Sequence, residues 1–437
     1  MTTRIASSLH CAATMLGCWC ILAACSSDAP APAARAPARS GEDVVASPPP
    51  IVEAASSPSE SENDGSPPAD AAPPRDEVYD PDKVPSFELE LEPAAIALLS
   101  STVEADKKTW VHGRFKFGAI TFADVGVRRK GGTTYRVLPD KASLKVKFNK
   151  WVKGQKLYGL EELTLNNMVS DPTRLSERLA YHVFRAMGLP AQKANTAHLS
   201  INGEDYGIYA NVETPDENFL ARVFGNRVRT LYEVVWGSSW MPGDTGYEID
   251  IGAPGAPAGA MPDIDLLSAA VAASKDETLL ADFAPRLHVR QWLRHSATEA
   301  VTGHHDGYAY GFWESHNYFM AGDVDGKFSL VPWSTDLSFS DSDGVPDAAN
   351  PRSDTALARC MKSACWNEYK TEVQSVLSTY EKLDLVNLAT KWHDQIDPFV
   401  RSDPKGAGSL ALYEETTAKL YAWLAARPSV VRAQLGL

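Results

Sequence analysis

An aspartate, an asparagine and a second aspartate follow one another between Gly303 and Phe339. Asp306 stands in Gly303-His304-His305-Asp306-Gly307, Asn317 in His316-Asn317-Tyr318-Phe319, and Asp336 in Pro332-Trp333-Ser334-Thr335-Asp336. Such a set suits phosphoryl transfer. One carboxylate receives the nucleophile's proton, while an amide and another carboxylate hold magnesium against phosphate oxygens. Plainer roles are available too: Asp306-Gly307 as a turn, and Asp336 as a helix cap before Leu337. The histidines at 304, 305 and 316 lack the i, i+4 spacing of a zinc-binding helix. Asp323-Val324-Asp325-Gly326 lacks the downstream glutamate of a calcium loop and reads as a hairpin turn.

Phosphate also needs cations. The segment Arg128 to Lys153 holds Arg128, Arg129, Lys130, Arg136, Lys141, Lys145, Lys147, Lys150 and Lys153 against one acid, Asp140, in a chain of net charge −14. Within it lies Gly131-Gly132-Thr133-Thr134, followed by a strand in which Leu144, Val146 and Phe148 alternate with lysines. A glycine turn between basic strands can bring amides and cations to phosphates. A solvated, lysine-rich strand face is the alternative. The acidic balance argues against a general nucleic-acid binder, so any polyanion site is local.

The elements that must position these residues follow from periodicity. Phe87-Glu88-Leu89-Glu90-Leu91, Trp110 to Phe117 and Ala119 to Val127 read as strands, and His198 to Ile201 with Tyr206 to Val212 as a hairpin turning at Asn202-Gly203. Leu175, Leu179, Val183, Phe184 and Met187 make one apolar stripe on a helix that starts at Asp171-Pro172-Thr173 and stops at Gly188. Helices are expected over 264–273, 278–283, 289–302, 366–383, 385–400 and 410–426. No nucleophile elbow or hydrolase triad is evident.

The first 24 residues have the shape of a secretory signal, with an apolar run from Ala12 to Ala24. Leu22-Ala23-Ala24-Cys25 is similar to the lipobox of bacterial lipoproteins, which implies lipidation of Cys25 and export to a membrane surface. Residues 25–82 are rich in Pro, Ala, Ser, Glu and Asp and read as a disordered tether, with a reach on the order of 40 Å. Cys360 and Cys365 are then the only cysteines of the folded part, and an oxidising compartment favours a disulfide between them.

An ordered set of motifs resembles the CotH (spore coat protein H-like) kinase family. It runs through Arg128-x-Lys130-Gly131-x-x-Thr134, Lys141-Ala142-Ser143-Leu144-Lys145-Val146-Lys147-Phe148 and Leu163-Thr164-Leu165-Asn166-Asn167. It continues through Glu177-Arg178-Leu179-Ala180-Tyr181-His182, Leu199-Ser200-Ile201-Asn202-Gly203 and Val212-Glu213 to the Asp306, Asn317 and Asp336 segments. The resemblance implies an α+β, atypical two-lobed protein-kinase-like fold over residues 83–437, strand-rich to about residue 215 and helical from about 216. It implies ATP with Mg2+ or Mn2+, and transfer of a phosphoryl or nucleotidyl group to Ser/Thr of a protein at the cell surface or envelope. Asp306 would be the catalytic acid-base residue and Asn317 and Asp336 the metal holders. Arg128, Lys130, Lys145 or Lys147, Glu177 and Glu213 would serve the nucleotide, with Glu177 paired to Lys145 as a kinase helix glutamate pairs with its strand lysine. Two departures stand out: Ser334 replaces the first acid of the family's Pro-Trp-Asp-x-Asp element, and Asp306 to Asn317 is a long interval. These keep open a catalytically inactive relative acting in binding, adhesion or envelope assembly.

Overall fold

Alternating apolar residues carry the chain through seven strands whose inward faces need one another for burial. They are β1 (Ser86–Glu90), β2 (Val111–Phe117), β3 (Ile120–Lys130), β4 (Ser143–Lys147), β5 (Glu162–Asn166), β6 (Ala194–Ile201) and β7 (Glu204–Glu213). They close into a barrel in the order β1-β2-β3-β4-β5-β7-β6, with β1 parallel to β6 and every other pair antiparallel. Closure leaves no unpaired edge. The interior is a core of its own, filled by Phe87, Phe115, Val127, Leu144, Val146, Leu165 and Leu199 among others. The computed structural model describes residues 76–341, 346–406 and 408–437. The signal segment, Cys25 and nearly all of the tether therefore lie outside the described residues.

Four more strands form a second sheet in the order β11-β10-β8-β9, namely β8 (Val228–Val234), β9 (Tyr247–Ile251), β10 (Tyr318–Asp323) and β11 (Phe328–Pro332). Asp323 to Gly326 is the β10–β11 hairpin turn, closed by the Gly326 amide on the Asp323 carbonyl. Strands β8 and β9 are not among those expected from the sequence, although Tyr247-Glu248-Ile249-Asp250-Ile251 alternates apolar and acidic residues; β9 buries neither of its faces fully and is defined by its pairing with β8.

The helices are α1 (Asp76–Tyr79), α2 (Pro93–Ser100), α3 (Ser176–Ala186), α4 (Glu217–Phe224), α5 (Pro262–Ala273), α6 (Leu279–Phe283), α7 (Val289–Thr302), α8 (Ala356–Met361), α9 (Trp366–Lys382), α10 (Leu385–Ser402) and α11 (Leu410–Leu435). Helix α7 begins and ends where its period says. Helix α3 starts later than Asp171-Pro172-Thr173 suggests: Asp171 accepts from the amides of Thr173 and Ser176 and so closes a turn before the helix. Helix α11 runs past its expected end at Ala426, through Pro428, because Pro428, Val431 and Leu435 are buried there. Helices α3, α7, α9, α10 and α11 share a second core with the outer faces of β6 and β7. Cys360 and Cys365 form a disulfide from α8 to the start of α9. The chain is thus mixed α+β, with a strand-rich N-terminal part and a helical C-terminal part. Among the described residues, no helix is long and apolar enough to cross a membrane.

Candidate active site

Strand alternation sends the basic residues outward. Val127, Leu144 and Val146 fill the barrel, so Arg128, Lys130, Lys145 and Lys147 share its outer wall, with Arg128 directly opposite Lys145. On the same wall of β5 stand Glu162, Thr164 and Asn166. Lys130 Nζ donates to Asn166 Oδ1 at 2.5 Å, and Asn166 Nδ2 donates to both carboxylate oxygens of Glu177 at 2.9 Å. Lys130 also lies 5.2 Å from the Trp333 ring centre. The strand lysine linked to the α3 glutamate is therefore Lys130, through an amide, and not Lys145. Lys145 instead pairs with Glu162 at 2.7 Å, because its register places it beside β5 rather than toward α3.

Helix α7 delivers the acid side. It ends at Gly303 in the left-handed conformation, φ 64°, where a side chain would run into Trp423. Buried Glu299, one turn earlier, accepts from the amides of Tyr308 and Ala309 at 2.8 and 2.7 Å and so folds the next loop back on the helix. Burial works against its charge, but His295 and the loop amides hold its carboxyl below the ordinary value. Asp306 sits on that loop. Its Oδ1 meets His316 Nε2 at 2.8 Å, and its Oδ2 accepts from Asn317 Nδ2 at 2.7 Å. Burial opposes charge on His316, yet the Asp306 carboxylate outweighs it and raises the imidazole's pKa.

Asp336 follows β11 across a left-handed Ser334, φ 47°. The Ser334 hydroxyl donates to Asp336 Oδ1 at 3.2 Å. Burial, then the nearby Asp306 charge, pushes Asp336 up to about 6. Glu177 is raised to about 8, first by burial and then by Asp336. Burial lowers Lys130, with Glu177 opposing. Glu233 on β8 and Asp250 on β9 add to the acidic side, both raised by burial and opposed by Lys145. These are carboxylates crowded at one place with too little positive charge among them, an arrangement that a bound cation relieves.

Asp306, Asn317, Asp336, Lys130 and Glu177 come together. Arg128 lies over the Trp110 ring at 5.0 Å, and Lys147 stands half-buried further along the same wall. Glu213 does not belong to the site. Arg222 grips its carboxylate as a fork and the Lys193 amide donates to it at 3.0 Å, so it fastens α4 to the end of β7. Sequence reasoning missed Asn166, Glu299, Glu233 and Asp250. Only Asn166 carried a signal, as a polar residue at the end of an apolar strand. Among the described residues, no three His, Cys, Asp or Glu side chains gather into a metal cage. Magnesium is commonly held by one or two carboxylates plus substrate phosphates and water, and Asp306, Asp336 and the Asn317 amide fit that pattern.

Residues 127–431 match the family described as CotH kinase protein. Invasin CotH2 of Rhizopus delemar is 26% identical over 280 residues, covering 55% of this chain and 44% of that protein. Inner spore coat protein H of Bacillus subtilis is 23% identical over 263 residues, covering 56% of this chain and 70% of that protein. The match thus spans less than half of the fungal invasin. A solved complex of HipA, HipB and operator DNA from Shewanella oneidensis aligns with 10% identity and a TM-score of 0.33 over 64% of this chain and 62% of that one, too slight a likeness to argue from.

Proposed function

The chain belongs to the CotH kinase family, and we propose that it transfers a phosphoryl or nucleotidyl group from ATP to a Ser/Thr hydroxyl of a protein acceptor. The observation that carries this reading is the convergence of Asp306, Asn317 and Asp336 with the Lys130–Asn166–Glu177 chain, brought from six separate stretches of sequence. The barrel and the helical part act as the two lobes of a kinase-like fold. Lys130 faces the phosphates from the barrel wall, and Lys145 and Arg128, further along that wall, would have to leave Glu162 and Trp110 to reach them. Asp306 takes the acceptor's proton, and His316 and Asn317 hold its carboxylate in one orientation. Asp336 and Asn317 would hold Mg2+ or Mn2+, which supplies charge neutralisation to the phosphate oxygens. In phosphoryl transfer the acceptor oxygen bonds to the γ-phosphorus as the β–γ bridging bond breaks and ADP departs; in nucleotidyl transfer attack is on the α-phosphorus and pyrophosphate departs. Export with a lipid on Cys25 sets the acceptor at the cell surface or envelope, in keeping with relatives named invasin and inner spore coat protein.

Intact-mass spectrometry of the chain after incubation with ATP and magnesium or manganese, alone and with acceptor proteins, tests this reading. A phosphoryl or adenylyl increment that disappears in Asp306→Ala and in Asp336→Ala identifies a transferase and the group moved. A second reading is favoured by Ser334, whose hydroxyl stands where the family has an acid: a non-catalytic surface protein. No increment on any acceptor, from folded protein, would select it.

A further inference from the structure

We propose that the loop between β4 and β5 is a membrane-docking surface that takes anionic phospholipid headgroups. Its run Lys150-Trp151-Val152-Lys153 is exposed, with Trp151 at 38% and Val152 at 43%. The run sets two large apolar side chains between two lysines on a loop of a chain of net charge −14. The pad is organised. Lys150 Nζ lies 5.3 Å from the Trp110 ring centre and 5.5 Å from that of Trp151, and Trp151 stacks on His112 at 4.2 Å. Gly126 leaves the barrel wall open beneath, since a side chain there would collide with Lys150. Lys156, on the same loop, is taken by Glu161 at 2.9 Å, whereas among the described residues Lys150 and Lys153 have no carboxylate partner.

Three features select a bilayer as the occupant. Tryptophan rings and lysine stems fit the headgroup region, where an apolar body meets lipid and the charge meets phosphate. The chain's net negative charge works against approach to an anionic surface, so a local basic face is what offsets that repulsion. The chain also enters the fold here: Tyr158, on the return limb of the loop, donates to Glu77 Oε2 at 2.8 Å, one residue into the described part. Glu77, close to the first described residue, is thus held on the return limb of the same loop. Docking would fix which way a tethered domain faces; a tether alone does not.

The test uses the processed chain from residue 25, with Cys25→Ser so that no lipid is attached. It is co-sedimented with phosphatidylcholine vesicles, with and without about a third phosphatidylglycerol. Binding to the anionic vesicles alone is expected, weakened about fivefold each by Lys150→Gln and Lys153→Gln. Trp151→Ala should weaken it severalfold while the melting temperature stays unchanged. Absence of binding to anionic vesicles overturns the proposal, as does binding that ignores all three substitutions. Capture of soluble dextran sulfate with the same lysine dependence, but no vesicle binding, also overturns it and assigns the pad to a soluble polyanion. None of these residues enters the mass-increment assay, so this inference and the transferase reading fail separately.

Discussion

Two enclosed lysines of the barrel segment meet their carboxylates in opposite ways. Lys141 contacts Asp403 directly, both side chains are 3% exposed, and the Ile208 amide donates to the same Asp403 oxygen at 3.3 Å. Lys130 reaches Glu177 only through Asn166, on the side of the barrel where Asp336, Asp306 and Glu233 gather. In the first system a cation and an anion cancel and tie the barrel to the end of α10. In the second, the carboxylates outnumber the cations, and Glu177 and Asp336 are held near 8 and 6 rather than in the ordinary carboxylate range. A satisfied pair is a fastening; an unbalanced group has capacity left for a ligand.

The comparison can be broken at several points. Asp306→Asn should show the largest effect, lowering the transfer rate by about 10²–10⁴ while leaving the melting temperature nearly unchanged. An equal loss of stability would mean that Asp306 is structural. Lys141→Met should do the reverse. Removing one partner of a buried pair costs about 3–5 kcal/mol, read by urea denaturation, with the rate per folded molecule retained. Lys130→Met should weaken ATP binding, read as a smaller rise in melting temperature with ATP and magnesium, at little cost to the unliganded fold.

The pH dependence sharpens the contrast. Glu177 keeps its proton to about pH 8 when folded, but loses it near 4.5 when unfolded, so between these values the folded state binds more protons. Stability from this group is full below about pH 4.5 and is lost as pH rises through 8. Glu177→Gln should flatten that decline in a series of melting curves, and an unchanged slope would place the proton elsewhere. The smallest effect is expected from Ser334→Asp. An added carboxylate beside Asp336 should tighten magnesium binding severalfold, measured by calorimetry, and aspartate tolerates the left-handed backbone at φ 47°.

Much of this was legible in the chain. The stripe of α3, the span of α7, the barrel strands other than β5 and the β6–β7 hairpin follow from periods of 3.6 and 2 and from glycine and asparagine at turns, which are local properties. The candidate acids could be named because their types and order survive in one dimension. Their partners could not. Lys145 and Lys130 alternate on equivalent faces of neighbouring strands, and only the β3–β4–β5 register sends one to Glu162 and the other, through Asn166, to Glu177. Glu213 carried a family motif, yet lies within reach of Arg222 once α4 packs against the end of β7. Glu299 looked like one more helix residue until the loop of Asp306 folded back onto it. Residue type and period are written along the chain, whereas hydrogen-bond partner and charge balance depend on which distant segments closure of the barrel and packing of α7 bring within about 3 Å.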